Sequence, residues 1–261
     1  MKAIILAAGM GTRLGKYTEG LPKGMLEFAG KPLIEHQLDM LRSCGLNDII
    51  IVKGYAPEKI AFPDVKYYVN EDFANTNMVE TLMCAEKEMT EDFIVLYSDI
   101  AFEKRVLQAV LDAPCEIGVT VDTDFREYWE TRLERPEGDD ESFQIGPEGN
   151  IIELGSPNPS SEQMNGRYVG ILKFVGKGIG DLKRVYHENR EKYFESPEPW
   201  LNSKSFKKGY MTDMIQAIIN DGVRVDPIEI KRGWLEFDTT EDYELYQKWL
   251  GDGTMEKFLR F

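Results

Sequence analysis

Residues 3–7, Ala3-Ile4-Ile5-Leu6-Ala7, form an uninterrupted apolar run that breaks at once into Ala8-Gly9-Met10-Gly11-Thr12-Arg13-Leu14 and then reaches Pro22-Lys23. A continuous apolar run suits a parallel strand buried on both faces. Small residues directly after such a strand let backbone N–H groups approach phosphate oxygens. Arg13 offers those oxygens a planar fork, and Lys23 offers a compact charge. Two other glycine-loop chemistries do not fit. A dinucleotide fingerprint needs a third small residue where Leu14 stands, and a P-loop needs Lys-Ser or Lys-Thr directly after its last glycine.

The pattern beyond the loop alternates strand and helix. Pro32 suits the first turn of a helix that ends before Gly45, with Ile34, Leu38 and Leu41 on one face. Strands are expected at 48–52, 65–69 and 93–97, and Asn77 with Glu80 reads as a helix start that turns Val79, Leu82 and Met83 to the core. The second half reads as strands at 116–122, 151–154, 167–175 and 223–230, helices at 178–193 and 210–221, and polar loops at 136–140 and 156–163. Thr239 with Asp242 forms a capping box for a last helix through residue 250. This order predicts an α/β, Rossmann-like fold: a mixed, mostly parallel central sheet flanked by helices on both faces. Ligands of such sheets bind at the carboxyl ends of the strands. No linker or internal repeat divides the chain, so residues 1–261 are read as one domain. About 1–115 are expected to form the nucleotide-binding half and about 116–261 the acceptor-binding half with the second metal ligand, and no fused acyltransferase repeat is expected.

The formal charge of −15 argues against a nucleic-acid binder, which needs a basic face. An acidic chain that binds an anionic nucleotide needs backbone N–H groups, a few cations and a bound metal. Cys44, Cys84 and Cys115 are scattered and odd in number, as expected of reduced, mostly buried thiols in a cytoplasmic protein. The apolar start is too short and turns polar too soon for a signal peptide, and no run is long enough to span a membrane. His36 and His187 fall on expected helices away from the motifs and are read as structural or exposed.

Asp99 and Asp238 each follow an apolar strand-like run, where site chemistry is expected. Residues 6–23 resemble the signature of the sugar-nucleotide and phosphocholine-type nucleotidyltransferases. The resemblance continues through Asp99 and Trp234-Leu235-Glu236-Phe237-Asp238. Asn75-Thr76-Asn77-Met78-Val79, Tyr97-Ser98-Asp99-Ile100, Tyr168-Val169-Gly170 and Tyr210-Met211-Thr212-Asp213 are similar to the bacterial phosphocholine cytidylyltransferase-like group. That group includes enzymes that activate phosphonates and, in capsule synthesis, phosphoglutamine.

The resemblance implies Mg2+-dependent transfer of CMP from CTP to a small phosphorylated or phosphonate acceptor, with Asp99 and Asp238 sharing the Mg2+. CTP over UTP rests on it alone. Magnesium takes one or two carboxylates plus phosphate oxygens, and strand alternation puts Glu236 on the same face as Asp238. Arg13 and Lys23 are the catalytic candidates. Leu6, Ala8, Gly9, Met10, Gly11, Thr12 and Ser98 are the further nucleotide-binding candidates, with the base near Gly54, Tyr55 and Asn77, whose amide suits a pyrimidine edge. Acceptor candidates are Trp129, Arg132, Tyr168, Tyr210, Asp213, Trp234 and Glu236. Aromatics with carboxylates suit a choline-like ammonium, whereas Arg132 favours an anionic acceptor and tips the reading toward a phosphonate or phosphorylated amino acid. A sugar-1-phosphate nucleotidylyltransferase and a non-catalytic nucleotide-binding regulator are the rival readings. The residues leave the assembly state open, a homodimer included.

Overall fold

All six residues of β1 (Lys2–Ala7) are buried, because side chains alternate between two covered faces of one sheet. Ala3, Ile5 and Ala7 enter one apolar cluster, whereas Ile4 and Leu6 enter another. A computed structural model describes residues 1–132 and 140–260. The strands in chain order are β2 (Glu27–Phe28), β3 (Lys31–Pro32), β4 (Ile49–Lys53), β5 (Lys66–Val69), β6 (Phe93–Tyr97), β7 (Ile100–Phe102), β8 (Ile117–Asp122), β9 (Glu141–Ile145), β10 (Ile151–Pro157), β11 (Arg167–Phe174), β12 (Asp226–Ile230) and β13 (Trp234–Glu236). The helices are α1 (Leu33–Ser43), α2 (Met78–Met83), α3 (Lys104–Asp112), α4 (Arg126–Arg132), α5 (Lys177–Tyr193), α6 (Met211–Asn220) and α7 (Thr240–Asp252).

Seven strands pair in the order β12-β8-β11-β6-β1-β4-β5. Within this sheet β11 runs antiparallel to both neighbours and the remaining pairings are parallel. Helices α1, α3 and α7 contribute to one apolar cluster and α2, α5 and α6 to the other, which gives the expected three layers. The reversal of β11 matters for the site. Its first residues, Arg167 and Tyr168, pair with Asp122 and Val121 at the end of β8, so they stand at the carboxyl edge of the parallel strands.

A second, two-stranded sheet decides where the carboxylates meet. β13 pairs antiparallel with β7, Glu236 opposite Ile100, and the Phe237 amide donates to the Asp99 carbonyl at 2.8 Å. Asp99 and Asp238, 139 positions apart in sequence, are thereby brought side by side.

Several local readings change in the folded chain. Asn77 caps α2, accepting from the Met78 amide at 3.0 Å, but Glu80 does not complete a capping box and instead accepts from the Tyr186 hydroxyl at 2.8 Å. α3, α4 and β9 were not anticipated, and β10 extends to Pro157 into the expected loop at 156–163. The expected loop at 136–140 lies outside the described residues except for Asp140. The three cysteines are free and partly buried. Among the described residues no helix is long and apolar enough to cross a membrane.

Candidate active site

The glycine loop and the segment carrying Lys23 fit together through two glycines. Gly11 has a φ of 66°, a left-handed conformation that glycine adopts without steric cost, and a side chain there would meet Lys23 Cβ at 3.1 Å. Gly24 has no room at all: an added Cβ would sit 2.7 Å from Ile34 and 2.8 Å from Ser98. The extended Pro22 leads into the short turn Lys23–Met25, and this tight seating directs Lys23 at the end of β6. Its Nζ donates to Asp99 Oδ2 at 2.5 Å and to Asp238 Oδ1 at 2.7 Å. Arg13 Nη2 meets the other Asp238 oxygen at 2.7 Å, with the Arg13 side chain 65% exposed.

Burial works against charge on Lys23, but Asp99 and Asp238 outweigh it and hold the amine above its usual pKa. Burial, reinforced by Glu236 and Asp238, pushes Asp99 above the ordinary carboxylate range against the pull of Lys23. Asp99 Oδ1 is buried and has no hydrogen-bond partner. A buried carboxylate oxygen facing a site without a partner is the donor a hard divalent cation takes. Among the described residues no cluster of three His, Cys, Asp or Glu ligands forms. Two carboxylates completed by phosphate oxygens would suit a hard divalent cation, and the unpaired Asp99 oxygen fits that use.

Two cavities meet at this triad. One, of about 280 Å³, is lined by Leu6, Ala8, Gly9, Gly11, Thr12, Asn77 and Ser98, all read from sequence as nucleotide contacts. Three other residues read that way do not line it. Met10 is 42% exposed and lies off the lining. Gly54 sits behind the wall, because a side chain there would strike Ala8 and Phe73 at 2.7 Å. Tyr55 is likewise behind it, its amide donating to the Ala8 carbonyl at 3.2 Å and its ring meeting Phe73 edge-on. Phe73, Thr76, Met78, Thr81 and Tyr97 line the cavity in their place. Asn77 is present but committed: its Oδ1 serves Met78, and its Nδ2 donates to the Lys208 carbonyl at 3.2 Å.

The second cavity, about 160 Å³, shares Arg13, Lys23, Asp99, Asp238 and Tyr210 with the first. Tyr168, Tyr210 and Glu236, read from sequence as acceptor candidates, line it, and Tyr210 is 48% exposed. Four acceptor candidates do not reach it. Trp129 is buried, with the Arg132 and Arg167 guanidiniums 4.6 and 3.7 Å from its ring centre. Arg132 is enclosed in ion pairs with Asp242 and Glu236. Asp213 caps α6, accepting from the amides of Asn202 and Tyr210 and from the Ser203 hydroxyl. Trp234 is buried and donates its indole N–H to Asp122 at 2.8 Å.

Besides the shared Arg13, the arginine that lines the second cavity is Arg167, with Glu141 and Thr212. Sequence reasoning missed it although it directly precedes the Tyr168 motif; only the reversed direction of β11 puts it at the site. Burial opposes charge on Glu236, yet Arg132, Arg167 and Lys23 lower its pKa to about 2. His36 bonds the Phe28 carbonyl and His187 bonds Glu86, and neither lines these cavities.

A model of the MobA-like NTP transferase domain matches residues 3–132. Over 257 residues, 94% of this chain and 98% of the relative, the sequence is 31% identical to the CTP:phosphoglutamine cytidylyltransferase of Campylobacter jejuni subsp. jejuni serotype O:2. Over 99 residues, 36% of this chain and 43% of the relative, it is 41% identical to the choline-phosphate cytidylyltransferase of Streptococcus pneumoniae. Among solved structures, that of the CTP:phosphocholine cytidylyltransferase from Streptococcus pneumoniae matches with a TM-score of 0.71, over 95% of this chain and 98% of that one, at 22% identity. At that identity the likeness is one of fold.

Proposed function

The chain belongs to the MobA-like NTP transferase family and is a nucleotidyltransferase, and from that premise we propose that it transfers CMP from CTP to a phosphate or phosphonate oxygen of a small molecule, releasing pyrophosphate with the help of Mg2+. The observation that carries the reading is the position of Lys23, whose ammonium lies in the wall common to both cavities between Asp99 and Asp238. CTP as donor is supported by the names of the relatives. The division of labour follows the chain: the larger cavity is built mostly from residues before 100, and the smaller one draws on residues 141, 167–170 and 212 as well.

In the reaction an acceptor oxygen bonds to the α-phosphorus while the bond from that phosphorus to the leaving pyrophosphate breaks, its electron pair departing with pyrophosphate. A phosphate or phosphonate oxygen is already largely anionic near pH 7, so no general base is required. The barrier is the approach of two anions, and catalysis consists of positioning and charge neutralisation. Mg2+, held by Asp99 and Asp238, would neutralise charge on the triphosphate. Arg13 stabilises the leaving pyrophosphate from the exposed side, and Lys23 serves the α-phosphate and the incoming oxygen. Arg167 and Tyr168 hold the acceptor. Arg132 no longer argues for an anionic acceptor, because its guanidinium is enclosed; that argument now belongs to Arg167. A phosphonate, a phospho-amino acid such as phosphoglutamine and phosphocholine remain the acceptor classes.

The test is pyrophosphate release from CTP, UTP, GTP and ATP, each offered phosphocholine, an aminoalkyl phosphonate, phosphoglutamine and glucose 1-phosphate, with and without EDTA. Release confined to CTP with a non-sugar acceptor, and abolished by EDTA, is expected. Turnover confined to glucose 1-phosphate would replace the proposal with the sugar-nucleotide reading, and nucleotide binding with no release under any pairing would leave a regulator.

A further inference from the structure

Asp238 lies beyond the end of β13 and before the start of α7, where neither element's own hydrogen bonds hold its amide. Asp242 holds it instead. Asp242 Oδ2 accepts from the amides of Asp238 at 3.0 Å and Thr239 at 2.8 Å, and the Asp242 amide donates to Thr239 Oγ1 at 3.1 Å. A capping residue does this work perfectly well in water. Here the carboxylate is 1% exposed and is gripped by an arginine that is equally enclosed. Arg132 Nε donates to Asp242 Oδ1 at 2.7 Å and Nη2 donates to Oδ2 at 2.9 Å, a two-pronged contact of fixed orientation. The third prong, Nη1, donates to Glu236 Oε2 at 2.7 Å. The Glu236 backbone is fixed as well, its amide donating to the Tyr128 hydroxyl and its carbonyl accepting from Tyr246.

Burying an ion pair gains little stability, because desolvation offsets the attraction. A fork placed on the cap of one carboxylate and the side chain of another does gain geometry. We propose that Arg132 and Asp242 are positioning residues that set Asp238 and Glu236, holding the Asp238 carboxylate where Mg2+ and the triphosphate need it while keeping Glu236 on the floor of the acceptor cavity. Groups that support a metal ligand in this manner typically alter metal affinity 10- to 100-fold when changed. The inference rests on the metal reading given under Proposed function.

The experiment is Mn2+ titration of the full chain, followed by electron paramagnetic resonance, with a non-hydrolysable α,β-methylene CTP present. Wild type, Arg132→Lys and Asp242→Asn are compared well below their melting temperatures. Lysine keeps the charge but cannot form the fork, and asparagine keeps the shape but loses the charge, so each variant tests the relay if the other fails to fold. Both are expected to bind Mn2+ about 10- to 100-fold more weakly, with metal-free binding of the analogue changed less than about twofold. A purely structural role would lower the melting temperature and leave Mn2+ affinity alone, which would overturn the relay. Absence of Mn2+ binding by the wild type would overturn the metal reading itself.

Discussion

The two cavities share a wall yet are built in opposite ways. The larger sets the small residues of one early stretch, Ala8, Gly9 and Gly11 after β1, and the Lys23 turn seated on Gly24 against side chains from residues 73–81 and 97–99. The smaller is lined by charged and aromatic side chains, Glu141, Arg167, Tyr168 and Glu236, drawn from the three strands β9, β11 and β13. The glycine segment of the former cannot change without moving the main chain. The latter can exchange one side chain for another on an unchanged backbone, which suits a site that distinguishes acceptors.

The comparison breaks most readily at the cation the cavities share. Lys23→Ala is expected to lower kcat by about a few hundredfold, the scale of losing one transition-state contact, read as pyrophosphate release at saturating CTP and acceptor. Turnover at the wild-type rate would mean that the cavities do not meet at a catalytic charge. Arg167→Met should raise the acceptor's KM about tenfold or more, the scale of a lost charge-assisted hydrogen bond, and leave the KM for CTP within about twofold. An equal rise in both constants would show that the cavities are not separable.

Smaller effects probe the backbone-built side. Gly24→Ala forces a methyl against the fully buried Ile34 and against Ser98, and a loss of about 1–3 kcal/mol in a urea unfolding midpoint is expected for such overpacking. An unchanged midpoint would show slack where the geometry leaves none. Asn77→Ala should cost about 1 kcal/mol as a lost helix cap and leave the CTP-to-UTP ratio of kcat/KM unchanged, because its amide already serves Met78 and Lys208. A shifted ratio would return Asn77 to base recognition.

Much of the parallel core could be read from the chain. The strand at 93–97 was placed to the residue, and α7 begins where Thr239 and Asp242 announced it. Leu6 at the end of β1 and the small Ala8, Gly9 and Gly11 after it line the larger cavity. Arg132, Trp129 and Asp213 lie off the smaller cavity, and a residue's type does not reveal whether a partner far along the chain already occupies it. Arg132 is taken by Asp242 and Glu236, and Asp213 by the Asn202–Ser203 turn.

Alone, the sequence determined the alternating core, the glycine turn and the cations that follow it, since periodicity and steric freedom act over a few neighbouring residues. Tertiary structure decided that Asp99 and Asp238 flank one ammonium and that Arg167, rather than Arg132, lines the smaller cavity. Both outcomes depend on strand pairings between distant segments, β7 with β13 and the reversed β11 with β8. The direction and register of such pairings are set by how the whole sheet packs, and no local stretch of residues encodes them.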